Sequence, residues 1–370
     1  MIHAPTSPSE RLDWLRLART PRVGPVTFFQ LLTRFGSPGR ALQELPNLTR
    51  GGGRAGKLAP PAIESVQLEN AATEQYGARI LCAADPDYPA LLKTLKAPPP
   101  VLTALGRTDL TSKPAIAIVG ARNASAAGRK LTRDMAAELS RAGYVIVSGL
   151  ARGVDGEAHG ASLEGGTVAV LGGGIDHIYP PQHDRLYAAI AANGLLISES
   201  PFGHRATARD FPRRNRLITG CAAGVVVVEA TERSGSLISA RTAGEQGREV
   251  MSVPGSPLDP RSAGTNRLLR EGATLVRHAE DVLDAMSGLQ RNMFAAPPPP
   301  DFEADGIEDD IPPSQIAAVR AALTPNAMPI DEIARAAGIG AGRCAAILME
   351  LELAGEATTL PGALASRSVE

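Results

Sequence analysis

The sequence predicts an α/β protein: a doubly wound, mainly parallel sheet with a helical segment before it and a small helical domain after it. Three observations predict this. From Arg79 to about Gly288, short apolar runs rich in β-branched residues alternate with Ala-rich stretches of helical character, as in parallel strands covered on both faces. The residues before that region read as helices without strands. Beyond a proline-rich acidic stretch, three helices and a short hairpin-like tail close the chain.

In chain order, "ERLDWLRLART" places Leu12, Leu15 and Leu17 beside Trp14, and "TPRVGPVTFFQLLTRFG" turns at Val23-Gly24-Pro25 into a second helix. A helix, a glycine turn and a helix are similar to a SAM-like or helix-hairpin-helix unit, whose turn amides can touch phosphate. A plain helical bundle with a glycine turn reads the same residues equally well. "GGGRAGKL" fits G-x-x-x-x-G-K, but Leu58 stands where a P-loop needs Ser or Thr for magnesium and no strand precedes it. It reads as a turn. The strand-like runs then follow: "AIAIVG", "YVIVSG", "TVAVLG", "LLISES", "GVVVVEA" and "EVMSVPG". Helical stretches between them make a Rossmann-like domain. "AAPPPPDFEADGIEDDIPP" carries six acidic residues and no basic one, the composition of a solvated linker. The three helices and hairpin after it have the layout of a winged helix. The expected division is a helical domain over residues 1–75, a Rossmann-like domain over 76–290, a linker over 291–313 and a winged helix over 314–370.

The 370 residues are 44% hydrophobic and 21% charged, with a formal net charge of -1. That argues against a wholly basic nucleic-acid binder and leaves room for a local patch. No apolar run approaches the roughly 20 residues of a membrane span, and the N-terminal stretch lacks the apolar core of a signal peptide. Cys82, Cys221 and Cys344 make no C-x-x-C and no zinc spacing. The expectation is a cytoplasmic protein with reduced structural cysteines, no metal and no cofactor.

Ligands of open α/β sheets bind beyond the carboxyl ends of the strands, so the candidate residues lie just after each apolar run. They are Gly120, Arg122, Ser125 and Gly128 in the first loop, and Ser148, Gly149, Arg152, Gly153 and Asp155 in the second. Gly172 and Gly174 follow the third run, and Ser234, Gly235 and Ser236 follow "GVVVV". Glycine allows close backbone approach. Ser125 and Ser236 are expected to cap the next helices, whose N-termini attract phosphate. Arg122, Arg152 and Arg233 add fork-shaped donors. "RDFPRRNRLITG" adds Arg214, Asn215 and Arg216, with Pro212 in the first helical turn. Arg209 and Arg213 are expected at the surface. Tyr179, Phe202 and Phe211 are the stacking candidates. Bland readings stand beside these. Gly120 and Gly149 can simply serve tight turns. Asp155 can cap a helix starting at Gly156. His159, one turn on, can pair with Asp155 or be a satisfied structural histidine. Glu229 reads as structural before acid–base. No dinucleotide fingerprint, serine elbow, zinc motif or catalytic carboxylate pair stands out, so no catalytic residue is assigned and binding is favoured over turnover.

"VGARNASAAG", "SGLARGVDGEAHGASLEGGTVAVLGGGIDHIYPPQH", "ISESPFG", "FPRRNRLITG" and "VVVVEATERSGSLISARTAGEQGREVMSVPG" together resemble the DprA (DNA-processing protein A, or Smf) family, in the family's order and over nearly all of the central region. The resemblance implies binding of single-stranded DNA, loading of RecA recombinase, a role in natural transformation, and a homodimer formed through the Rossmann-like domain, with no established enzymatic activity. It puts Gly120, Arg122 and Ser125 in the first binding loop. Ser148, Gly149, Arg152, Gly153 and Asp155 fall in the second, and residues 214–216 in the basic run. Two features depart. Ala121 stands where the family usually has Ser. The winged helix's expected reading helix, "GRCAAILMELEL", holds Arg343 against Glu350 and Glu352, whereas a major-groove reader brings several basic or amide side chains. Protein–protein contact or regulation is therefore expected there. The alternative function is a nucleotide-processing enzyme of the phosphoribohydrolase (lysine-decarboxylase-like) type. Its P-G-G-x-G-T-x-x-E loop is met only by "VPGSPLDPRSAGTN", without the paired glycines or the glutamate.

Overall fold

The structure, a computed structural model, describes residues 3–48, 59–295, 311–360 and 363–368. The glycine-rich "GGGRAGKL" stretch and most of the acidic proline-rich one lie outside them. The helices are α1 (Pro8–Ala18), α2 (Pro25–Phe35), α3 (Pro38–Leu48), α4 (Ile63–Gln75), α5 (Ala90–Lys93), α6 (Ala126–Arg141), α7 (Val154–Ala161) and α8 (Asp184–Asn193), then α9 (Asp210–Gly220), α10 (Gly235–Glu245), α11 (Ala263–Arg270), α12 (Ala279–Ala295), α13 (Pro313–Ala322), α14 (Ile330–Ala337) and α15 (Ala341–Leu353). The strands are β1 (Arg79–Cys82), β2 (Val101–Gly106), β3 (Ala115–Gly120), β4 (Val145–Ser148), β5 (Thr167–Leu171) and β6 (Leu195–Ser198), then β7 (Gly224–Val228), β8 (Glu249–Ser252), β9 (Thr274–Leu275), β10 (Met328–Pro329), β11 (Ala357–Leu360) and β12 (Leu364–Arg367). The chain divides into two compact units, residues 67–297 and residues 1–66 with 298–370.

The larger unit is the doubly wound domain. Among the described residues its sheet has nine strands in the order β1-β2-β6-β5-β4-β3-β7-β8-β9. All neighbours from β6 to β9 are parallel, while β1–β2 and β2–β6 are antiparallel. The six apolar runs named above supply β3 to β8. The two antiparallel edge strands and the two-residue β9 escaped that reading, because no long helix separates β1 from β2. Burial on both faces explains the continuous Val and Ile runs. Ile116 and Ile118 of β3 and Val226 and Val228 of β7 share one cluster with Met135 and Leu139 of α6 and Val282 and Met286 of α12. Ala169, Leu171, Leu196 and Ile190 form another with Tyr187. From β3 the chain winds towards β4 on one side, and from β7 towards β8 on the other, so the adjacent pair β3–β7 is the topological switch point.

In the smaller unit, Ser7 caps α1 by accepting from Glu10 N at 3.1 Å. Trp14, Leu15 and Leu17 are buried, and the Trp14 ring lies 5.1 Å from that of Phe28 in α2. Gly24 precedes Pro25 at the start of α2, the turn expected of the hairpin. Helices α13, α14 and α15 with the sheet β10-β12-β11 complete a winged helix. Its apolar cluster includes Val319, Ile333, Ile347, Leu348 and Leu351.

Candidate functional site

The loops leaving the carboxyl ends of β3 and β7 diverge, as they must at a switch point. Between them opens a groove of about 870 Å³. Gly120, Arg122, Asp155, Arg214, Asn215, Ser234, Gly235 and Ser236 line it. Gly149 and Arg152 line a small recess beside it, shared with Arg122, Tyr179, Phe211 and Arg214. Ser125, Gly128, Ser148, Gly153, Gly172, Gly174 and Arg216 line neither.

Helix α9 delivers the groove's most buried cation. Phe211, Arg214, Asn215 and Ile218 line the groove at the spacing of one helical face. Arg213 and Arg216 fall on another face. Arg216 donates to Glu199 Oε1 at 2.6 Å, and Arg213 lies 3.4 Å from the other oxygen of Glu199. The expectation that Arg216 turns inward with Arg214 is thereby corrected: helical phase sends it to a carboxylate instead. Arg209, which precedes α9, is exposed. Arg214 is buried; its Nη1 donates to Val170 O at 2.6 Å, and its Nε has no hydrogen-bond partner among the described residues. Burial pushes its guanidinium down to about 10, against the pull of Asp155. Burial likewise raises the Asp155 carboxyl, offset in part by Arg214. Among the described residues Asp155 is the one carboxylate on a wall that carries Arg122, Arg214 and Arg261.

The second loop is fixed from behind. Gly149 is required by Arg214, since a Cβ there would stand 1.9 Å from Nη1. Gly153 has φ +76° and leaves room for Ala121 O, 2.3 Å from where a Cβ would be. Helix α7 starts at Val154, not Gly156, so Asp155 sits inside its first turn and reaches back into the loop. Its Oδ2 accepts from Gly149 N at 3.1 Å and Ala151 N at 3.3 Å. His159 pairs not with Asp155 but with Leu150 N, 3.3 Å from Nε2, and with Thr167 Oγ1, 2.7 Å from Nδ1. Thr167 Oγ1 in turn donates to Ile146 O. That chain makes Nδ1 the protonated nitrogen. Burial holds the imidazole neutral, its pKa down at about 3. Leu150 has φ +57°, and His183 Nδ1 lies 3.0 Å from its carbonyl. Three successive amides are thus consumed by α7.

The first loop behaves similarly beyond Arg122. Ser125 caps α6 as expected, accepting from Gly128 N at 2.9 Å. Its own N–H and hydroxyl donate to the Glu229 carboxylate. That carboxylate sits at the helix N-terminus, where an outside anion would otherwise be stabilised. A Cβ on Gly128 would stand 2.7 Å from it. Ser148 Oγ donates to Ile118 O at 2.6 Å in the interior. Gly174 N bonds His204 O, and Gly172 O accepts from Ser200 Oγ, so the third loop holds the segment near residues 200–204. After β7 the cap is Ser234 rather than Ser236, and α10 starts at Gly235. Its first turn, residues 235–236, faces the groove.

The groove also carries aromatic surface. The Tyr179 and Phe211 rings lie 5.4 Å apart. The Arg122 guanidinium stands 5.4 Å from the Phe211 centroid and that of Arg214 6.0 Å, within cation–π range. Tyr179 is 46% exposed. Phe202 instead packs edge-on against Tyr76. Sequence reasoning missed Asn123, Thr231, Ile238 and Arg261 on the wall. Arg261 had a usable signal, since it follows β8 at the same end of the sheet.

Residues 79–287 match the family described as DNA recombination-mediator protein A. Residues 8–72 match a DprA-like N-terminal HHH domain and residues 295–363 a DprA winged helix domain. Protein Smf of Synechocystis sp. is 36% identical over 296 residues, 76% of this chain and 74% of that protein. The DNA processing protein DprA of Bacillus subtilis is 42% identical over 219 residues, covering 58% and 74%. Among solved structures, DprA of Streptococcus pneumoniae superposes with a TM-score of 0.63 at 32% identity, over 74% of this chain and 97% of that one. A structure describing the single-stranded DNA binding mode of DNA processing protein A from Helicobacter pylori gives 0.53 at 31% identity, over 57% and 96%.

Proposed function

The chain belongs to the DNA recombination-mediator protein A (DprA/Smf) family, and we propose that its switch-point groove holds single-stranded DNA by backbone and stacking contacts, without reading sequence. The observation that carries this reading is the cluster of Arg122, Arg214, Tyr179 and Phe211. Arginine forks suit phosphate oxygens, and exposed rings accept any base on their faces. A paired duplex keeps its bases stacked internally and offers them nothing to stack on. In this reading Arg122 and Arg152 take phosphates, and the positive end of the α10 dipole, capped by Ser234, favours another. Ser234, Gly235 and Ser236 shape that helix end. Gly120 serves packing, since a Cβ there would stand 1.9 Å from Val228 O, and Asn215 orients the strand. Arg214 supplies buried positive potential. Ser125, Gly128, Ser148, Gly149, Gly153, Asp155, Gly172, Gly174 and Arg216 serve by holding the loops.

The family's wider role supports further steps. The bound strand is handed to RecA during natural transformation, in the cytoplasm, by a homodimer formed through the central domain and without catalysis. The working division is residues 76–290 for DNA, with 1–75 and 314–370 as accessory domains about a 291–313 linker.

The test is a salt titration of oligonucleotide binding, single- and double-stranded, on wild type and Arg122→Glu. Wild type is expected to prefer the single strand, with log K falling as log salt rises by about 0.7 per phosphate engaged. Arg122→Glu is expected to lose at least about a hundredfold in affinity while remaining folded, since it exchanges attraction for repulsion at one phosphate. Equal, salt-insensitive binding of both forms overturns the reading.

A further inference from the structure

Outside the groove, the winged helix raises a separate question. In helix-turn-helix readers one helix enters the major groove and meets base edges with exposed side chains. Here the corresponding helix, α15, is almost wholly covered. Only Ala341 and Gly342 of its residues are exposed. Glu352 accepts from Thr359 Oγ1 at 2.8 Å within the winged helix. Glu350 accepts from Arg34 Nη1 of α2 at 2.7 Å, with the two side chains only 15% and 17% exposed. Met349 and Leu353 are buried yet stand outside the winged helix's own apolar cluster. They flank Glu350 at a four-residue spacing, on the side where α15 packs on α2.

The hairpin contributes a second, independent contact. Arg22, in the turn before α2, donates to Leu353 O at 3.1 Å. That carbonyl ends α15, where backbone acceptors lack helical partners and the dipole favours a cation. Arg22 holds φ +64°, a left-handed conformation that non-glycine residues keep only when surrounding contacts enforce it. The cation nearest the turn, which a phosphate-binding hairpin would aim at DNA, is committed to the helix end.

We propose that the winged helix is a protein-docking module whose partner is the N-terminal helical hairpin of the same chain, with α15 seated on α2 rather than reading duplex DNA. Charge complementarity selects this occupant: Arg22 and Arg34 on one side, Glu350 and the α15 carboxyl end on the other.

Hydrogen exchange on the full chain tests it with Arg34→Glu, Glu350→Arg and the double swap. In each single variant, segments 25–35 and 341–353 are expected to exchange about tenfold faster together, because reversing one partner strands a largely buried charge. The double swap is expected to restore both, and α6 serves as the internal control for global folding. Should a reversal unfold the protein, Arg34→Gln gives the same paired response at smaller size. Unchanged exchange of 341–353 in the single variants overturns the proposal, as does protection of 341–353 by duplex DNA in wild type. Exchange of these segments that slows with protein concentration would assign the hairpin of a second copy and overturn the same-chain assignment.

Discussion

Gly149 and Arg214 are one device. The arginine's Nη1 occupies the space a side chain at Gly149 would take, 1.9 Å from an added Cβ. Gly149→Ala is expected to expel the guanidinium from its seat on Val170 O and to weaken single-stranded DNA binding about tenfold, the usual scale for a lost charge-assisted hydrogen bond. Fluorescence anisotropy with a labelled oligonucleotide checks this; unchanged affinity would separate Arg214 from binding. At this scale the sequence was legible where function and position coincide. Arg122 follows its strand directly and stands on the groove. It was not legible where a residue's partner is remote. Ser125 looked like a ligand contact, but its N–H and hydroxyl meet Glu229, 104 residues away. No local pattern announces that carboxylate.

Helix α7 shows how an element, rather than a residue, sets the site. Asp155 and His159, one turn apart, take the three amides of residues 149–151. The price of a buried neutral imidazole is paid in acid. The folded state binds the His159 proton more weakly than the unfolded chain, with a pKa moved from 6.5 to about 3. Its contribution is therefore intact above pH 6.5 and erodes as pH falls towards 3. Over the 1.5 units from pH 6.5 to 5 that amounts to about 2 kcal/mol. Denaturant unfolding at both pH values should show wild type losing about that much more stability than His159→Gln; equal losses would contradict a buried neutral histidine. Among the elements, the six central strands could be read because apolar runs bounded by helices carry their own signature. The antiparallel edge could not, since no long helix separates β1 from β2. Helix α9 was half legible: the crowding of arginines was plain, but only helical phase divides Arg214 from Arg213 and Arg216.

Over the whole chain, a net charge of -1 coexists with a groove whose wall, among the described residues, holds Arg122, Arg214 and Arg261 against Asp155, with Arg261 also paired to Asp259. On the proposed reading, attraction for a polyanion is local. It should be steep in salt without making the protein a general nucleic-acid binder. The winged helix follows the opposite logic, its acidic helix α15 lying against a basic hairpin. The poverty of basic residues in "GRCAAILMELEL" argued against a major-groove reader, but nothing in the sequence pointed to the contact of α15 with α2. Photo-crosslinking of single-stranded DNA to the intact protein, with the attached peptides mapped by mass spectrometry, tests the central claim most directly. Crosslinks are predicted at Tyr179 and Phe211, suppressed in Arg122→Glu. Crosslinks confined to segments away from residues 179 and 211, and unaffected by that substitution, would contradict it.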